Sequence, residues 1–180
     1  MNIVPMTADE VDAVVAFFTT VPDGDLTFVK EDVDKAAVAG WVTSPGQRWL
    51  ALADDGTVVG FSAVLPLAGW SDHVGDVRLI VGPQQRGTGL GTALARHALT
   101  NAVQAGLRKL VVELPVEQEH AIDMFSRLGF TGEALLRDHI RDRAGQLRDL
   151  VMLAHLVDDN LANLTTVGLA DETISEGEAQ

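Results

Sequence analysis

Val74-Gly75-Asp76-Val77-Arg78-Leu79-Ile80-Val81-Gly82-Pro83, followed after two glutamines by Arg86-Gly87-Thr88-Gly89-Leu90-Gly91-Thr92, changes character within one short stretch. A hydrophobic strand gives way to a glycine-rich turn, and the turn opens a helix. Residues 89–105 carry Leu90, Leu94, His97, Ala98 and Val103 at helical spacing before Gly106 stops them. In such a turn successive backbone N–H groups and the positive end of the helix dipole converge on one point, which favours an anion. Glycine at 87, 89 and 91 removes side chains that would block close approach of a phosphate, and Thr88 and Thr92 offer hydroxyl donors. A glycine triplet alone is weak evidence, because ordinary strand-to-helix connections also use glycine to turn tightly.

Working outward, residues 109–114 read as a returning strand. The stretch 74–114 is then a strand–helix–strand unit, right-handed and parallel if its two strands are neighbours. Upstream, residues 49–53 and 58–65 form a hairpin around the turn Asp54-Asp55-Gly56. Residues 3–6 make an opening strand. Thr7-Ala8-Asp9-Glu10 is a capping box for a helix with Val11, Val14, Val15 and Phe18 on one face, ending before Val21-Pro22-Asp23-Gly24. Residues 26–30 are ambiguous and 31–42 have helical spacing. Downstream, 120–128 is a short helix stopped by Gly129-Phe130, with strands at 133–138 and 147–155. The pattern predicts an α/β fold built on one mixed sheet, a single domain over residues 1–156, and a tail over 157–180 that is helical in part and then disordered.

At 180 residues and 47% hydrophobic content the chain suits one sizeable core. Its apolar runs fall well short of the roughly 20 residues a membrane-spanning helix needs. Met1-Asn2-Ile3-Val4-Pro5 lacks the basic flank and apolar stretch of a secretory signal, so a cytoplasmic location is expected, with no membrane partner. The absence of cysteine excludes disulfides, thiolate zinc sites and cysteine nucleophiles. A net charge of −13 argues against a nucleic-acid partner and favours a cationic small molecule by long-range steering. A polyanionic cofactor would then rely on local arginines, for which Arg78, Arg86 and Arg96 are placed near the turn.

Three phosphate-binding chemistries compete for the turn. A nucleotide P-loop requires a Lys followed by Ser or Thr after the last glycine, and Gly91-Thr92-Ala93 has no Lys. A dinucleotide fingerprint requires glycine at its first, third and sixth places, and Gly87-Thr88-Gly89 fails that offset. The third is coenzyme A.

Here the chain resembles a known family. Arg86-Gly87-Thr88-Gly89-Leu90-Gly91 matches the Gln/Arg-x-x-Gly-x-Gly/Ala motif of the GNAT superfamily of acyl-CoA-dependent N-acetyltransferases. Ala121-Ile122-Asp123-Met124-Phe125-Ser126-Arg127-Leu128-Gly129-Phe130 resembles its Ala-Ile-x-x-Tyr-x-x-x-Gly-Phe helix, and Asp149-Leu150-Val151-Met152 its closing strand. The resemblance covers residues 3–155 in order. It implies a central mixed sheet splayed between its fourth and fifth strands, with acetyl-CoA or another short acyl-CoA as cofactor. It also implies pantetheine amides pairing with Leu79, Ile80 and Val81, and a pyrophosphate on the amides of Arg86, Gly87, Thr88, Gly89, Leu90 and Gly91. The implied reaction is direct attack on the thioester by a primary amine of a small molecule or a protein. Homodimers are common in the family. The alternative readings are a catalytically silent CoA-binding module and a partner-docking protein.

Two departures from the family pattern stand out. Phe125 replaces the Tyr whose phenol is held to protonate the departing thiolate, and the chain has no tyrosine. Gln118 stands where an Asn is usual. The catalytic candidates are His73, Asp76 and Glu113. Strict alternation puts His73, Gly75, Val77, Leu79 and Val81 on one strand face and Asp76 and Arg78 on the other, so His73 is the first choice and a bulge would favour Asp76. His73 equally fits a solvated loop histidine, and Glu113 a salt-bridged strand-end carboxylate. His120, His139, Arg141 and Arg143 lack metal-site spacing. The segment 28–32 lies where the family's variable acceptor loops lie, although its charges also suit a helix start. Trp41, Trp49 and Trp70 are expected in a core or an interface.

Overall fold

The computed structural model describes residues 2–26 and 29–157. After β1 (Asn2–Pro5), Thr7 closes the expected capping box: Asp9 N donates to its Oγ1 at 3.3 Å, and Thr7 N donates to Glu10 Oε2 at 2.8 Å. A 3₁₀ turn at Ala8–Glu10 runs into α1 (Val11–Thr19). The turn cluster at Val21-Pro22 opens a single helical turn, α2 (Asp23–Leu26), because a proline at the start of a helix forfeits only an N–H that would lack a partner anyway. α3 spans Lys35–Trp41, starting later than residue 31 because the Asp34 carboxylate accepts from Ala36 N and Ala37 N at 2.8 and 3.0 Å and so fixes the helix start.

The remaining elements are β2 (Gln47–Leu52), β3 (Val58–Pro66), β4 (Val74–Val81), α4 (Leu90–Gln104), β5 (Lys109–Pro115), α5 (Glu119–Arg127), β6 (Thr131–Arg141) and β7 (Leu147–Leu156). They match the sequence reading in kind and order, with β6 longer at both ends. One sheet holds all seven strands in the order β1-β2-β3-β4-β5-β7-β6. Every pairing is antiparallel except β4 with β5, the parallel pair predicted from the strand–helix–strand unit.

Helices cover both faces. On one, Ala95, Ala98, Leu99 and Ala102 of α4 and Phe125 of α5 bury against Val64, Val77, Leu110 and Val112 of the sheet. On the other, Val14 and Phe18 of α1 and Val38 and Trp41 of α3 bury against Leu50, Phe61 and Ala63. Trp41 and Trp49 are core residues, but Trp70 is 96% exposed in the loop after β3. The close approach of layers shows at Gly75, where an added Cβ would lie 2.7 Å from Leu107 Cδ1 and 2.9 Å from Val64 Cγ1. No helix among the described residues is long and apolar enough to cross a membrane. The helix and disorder expected of the tail fall on residues 158–180, outside the described part.

Candidate active site

The sheet opens where β4 and β5 part. They pair through Val74–Lys109, Gly75–Leu110 and Asp76–Val111, and no further. Beyond that point β4 keeps its ladder with β3 to Val81, and β5 keeps its ladder with β7 to Pro115, so each strand is held on its outer side while the inner edges separate. The result is a cleft of about 480 Å³ lined by both inner edges, by Gln118, Ala121, Met124 and Phe125 of the α5 region, and by residues preceding α3.

At the wide end sits the glycine turn. Pro83–Gln85 forms a 3₁₀ turn, and Gly87 and Gly89 then take φ of +75° and +89°, the left-handed region that glycine enters without strain. Gly89 is the N-cap of α4, whose first amides have no carbonyl within the helix to bind. Thr88 Oγ1 is not a free donor at this point, since it donates to Gln85 O at 2.7 Å. Arg86 reaches across to Asp25 of α2, Nη2 to Oδ2 at 2.6 Å, and lines the cleft. The start of α4 offers what a pyrophosphate needs: amides without a helical carbonyl to bind, backbone unobstructed by Cβ atoms, and a guanidinium, although the amides of Arg86 and Thr88 already donate to Pro83 O and Gln85 O at 3.5 and 3.4 Å. Leu79, Ile80 and Val81 line the same cleft along β4, and Gln118 caps its α5 side. Thr92 lies one residue further into α4 than Gly91 and is half-buried. Phe125 is 1% exposed and packs edge-on to Phe130 at 5.1 Å between ring centroids.

At the narrow end lies a charge cluster on the α1–α3 face. Asp76 Oδ2 accepts from Lys30 Nζ and from both Nε and Nη2 of Arg78, each at 3.2 Å. Its other oxygen, Oδ1, is buried and has no partner among the described residues. Lys30 Nζ also lies 2.7 Å from Glu113 Oε2. Arg78 Nη1 comes within 2.8 Å of Glu31 Oε1 but off the line of its N–H bonds, so the contact is a charge pairing rather than a hydrogen bond. Behind them Arg48, in register with Ala63 and Arg78 across β2, β3 and β4, donates to Ser44 O and Pro45 O. Burial holds its guanidinium below the usual range, with Glu31 opposing the shift and Arg78 adding to it.

The structure brings Asp76 and Glu113 together and leaves His73 outside. His73 precedes β4 at the closed end of the sheet, its side chain 52% exposed, with its carbonyl accepting from Arg108 N and Lys109 N. The face of β4 that alternation assigned to the base instead packs Val77 against α4 and α5. Asp76 reaches the cleft with no bulge in β4, whose register with β3 runs unbroken from Gly75 to Val81. Glu113 fits both of its sequence readings, being salt-bridged and lining the cleft. The sequence reading set segment 28–32 at the variable acceptor loops, Phe28 lying outside the described residues, but did not pair Lys30 and Glu31 with the carboxylates, and it offered Arg78 to the cofactor rather than to Asp76 and Glu31. A signal existed for Arg78, which stands two residues from Asp76 and so on the same strand face. No group of metal-ligating side chains occurs among the described residues.

The model of the acetyltransferase (GNAT) family matches residues 12–130. The chain belongs to that family. A curated relative, streptothricin acetyltransferase of Streptomyces lavendulae, is 33% identical over 84 residues, which are 47% of this chain and 44% of the relative, so the match spans less than half the length of either. Among solved structures, ribosomal-protein-alanine N-acetyltransferase from Brucella melitensis superposes with a TM-score of 0.77 at 18% identity, over 87% of this chain and all (100%) of that one. The yncA protein of Salmonella typhimurium, solved with its cofactor acetyl-CoA, superposes with a TM-score of 0.76 at 17% identity over 89% of this chain and 95% of that one. At these identities the superpositions speak for the fold: a GNAT sheet, splayed between its fourth and fifth strands as the resemblance implied. The cofactor class of the family, acetyl-CoA, fits the turn and cleft described above.

Proposed function

We propose that this GNAT protein transfers an acetyl or other short acyl group from acyl-CoA to a primary amine by direct attack. The observation that carries the reading is the parting of β4 and β5 at Asp76, with an anion-binding helix start at the wide end of the gap and two carboxylates at its narrow end. The amides of Gly87, Gly89, Leu90 and Gly91, with the side chains of Arg86 and Thr92, would hold the pyrophosphate, joined by the amides of Arg86 and Thr88 if they leave Pro83 O and Gln85 O. Leu79, Ile80 and Val81 would pair with the pantetheine arm, flanked by Gln118 and Phe125. When bound, acyl-CoA supplies an activated thioester carbonyl and a thiolate leaving group.

The chain's own contribution is to orient an amine and take its proton. An amine entering from the α1–α3 side meets Asp76 and Glu113, either of which can accept a proton as the nitrogen bonds to carbon. With no cysteine in the chain, a thioester-linked acyl-enzyme has no residue to form on. A second reading, a CoA-binding module without turnover, draws support from Phe125, which offers no hydroxyl to the departing sulfur.

Calorimetry with acetyl-CoA on wild type and Gly89→Glu, followed by thiol release against a panel of amines, tests both readings. The panel includes streptothricin, for which the curated relative is named. Binding lost in the variant, with turnover on one amine class, is the expected result. Binding without turnover on any amine supports the silent module, and no binding by wild type overturns the acyl-CoA assignment.

A further inference from the structure

We propose that Asp76 and Glu113 form the binding site for the ammonium group of the acceptor, and that Lys30 is a built-in occupant of that site which the acceptor displaces. The catalytic consequence rests on the acyl-transfer reading above; the binding itself does not.

Three observations converge. The Lys30 ammonium bridges the two carboxylates, 3.2 Å from Asp76 Oδ2 and 2.7 Å from Glu113 Oε2, at the point where the strands part. That is where an amine must arrive to meet a thioester lying between β4 and β5. Asp76, whose side chain is only 10% exposed and which lines the cleft, is loaded on one side: Oδ2 takes three N–H donors and the buried Oδ1 takes none among the described residues. A buried carboxylate oxygen without a donor is costly, and a ligand N–H is the group that would relieve it. Among the described residues Lys30 is held through its ammonium, by the hydrogen bond to Asp76 and the ion pair with Glu113, and its side chain is 36% exposed on the connection between α2 and α3, where solvent and a competing ammonium can reach it.

The same cluster indicates the acceptor's chemistry. Among the described residues three carboxylates, Glu31, Asp76 and Glu113, face three cations, Lys30, Arg78 and, behind them, Arg48, so withdrawing Lys30 leaves one negative charge in excess that an incoming ammonium neutralises. An α-amino acid would bring its own carboxylate into this excess, where the remaining cations are already engaged, Arg78 by Asp76 and Glu31 and the buried Arg48 by Ser44 O and Pro45 O. A primary amine at the end of a methylene chain has no such conflict. Phe18, Val29, Trp41, Phe61 and Ile80 line the same side of the cleft and give the chain an apolar surface. The inferred acceptor class is therefore an alkylammonium, as in a diamine or a lysine side chain. Once Asp76 or Glu113 has accepted one proton, the neutral nitrogen would form the N–C bond as the C–S bond breaks, and the second proton lost from nitrogen would pass through water to the departing sulfur, so that CoA leaves as the thiol.

The test is calorimetric titration of the full-length protein with n-butylamine and, separately, glycine near neutral pH, for wild type, Lys30→Gln, and Lys30→Gln combined with Glu113→Gln. Butylammonium should bind Lys30→Gln about tenfold more tightly than wild type, because the internal competitor no longer holds most of the sites. The double variant should lose that gain, and glycine should bind none of the three. Unchanged or weaker butylammonium binding by Lys30→Gln would show that Lys30 is structural and overturn the proposal, as would equal binding of glycine. If Lys30→Gln loses its thermal unfolding transition, Lys30→Met, which keeps the aliphatic stem, takes its place. Acetyl-CoA binding on the same samples separates the two ideas: its absence defeats the acyl-transfer reading, while the ammonium titration still decides this one.

Discussion

Asp76 is the last residue of β4 to face a partner on β5, standing opposite Val111, and every residue after it on β4 borders the cleft. A side chain at that position is anchored by paired backbone on both sides yet reaches the gap. The apex is thus the part of an otherwise open seam where β4 is paired on both sides.

Replacing Asp76 with Asn should lower kcat/KM for an alkylamine by about 100-fold, the scale of a lost general base, while leaving acetyl-CoA affinity unchanged. His73→Ala, at the closed end of the sheet, should leave both constants unchanged. Steady-state thiol release and calorimetry on the two variants check the contrast, and an equal loss in His73→Ala would move the base away from Asp76.

Phe125 lines the cleft with no hydroxyl to offer. Phe125→Tyr should raise kcat by about tenfold, short of the roughly 100-fold at which a well-positioned acid begins, with the KM for acetyl-CoA unchanged. A stability loss with no gain in kcat would mean that the new hydroxyl is buried against Phe130 rather than aimed at the sulfur.

His97 packs edge-on to Trp49 at 5.3 Å, and burial holds its imidazole below the ordinary 6.5. The unfolded chain therefore binds this proton first as pH falls. The stability His97 allows is complete above about pH 6.5 and declines as pH drops through its folded value. Urea unfolding at pH 7.5 and pH 5 should show a smaller acid loss for His97→Gln than for wild type.

Gly75 leaves no room for a methyl group against Leu107, Val64 and Leu110. Gly75→Ala should destabilise the protein by about 1–3 kcal/mol through overpacking. The urea midpoint should fall with an unchanged slope, and an unchanged midpoint would mean that the three side chains yield.

The sheet, its parallel pair and the glycine turn were legible because each is written in local pattern: alternation along 74–81, an abrupt turn, then helical spacing through Leu90, Leu94 and Ala98. The cleft's cofactor side followed from the same stretch. Its acceptor side did not. Strand alternation correctly separated His73 from Asp76, but which face meets α1 and α3 and which meets α4 and α5 is decided by packing between distant segments. Lys30 is 46 positions from Asp76 and 83 from Glu113, and no local pattern announces a pair closed over such a span. α3 began late for a smaller reason, a cap at Asp34 that competes with helical spacing starting at residue 31.

A sheet that parts in its middle has four edges instead of two. The inner edges of β4 and β5 past Asp76 present rows of amides and carbonyls that an extended, amide-bearing chain can complete, and such rows are also where unrelated strands stick to one another. The fold limits that hazard by making the seam a narrow wedge, closed at one end by three residue pairs and flanked by α5. Anything strand-like that fits the wedge stitches the two halves of the sheet together, so a ligand lying there should raise the unfolding temperature by mass action alone, whether or not it is ever consumed.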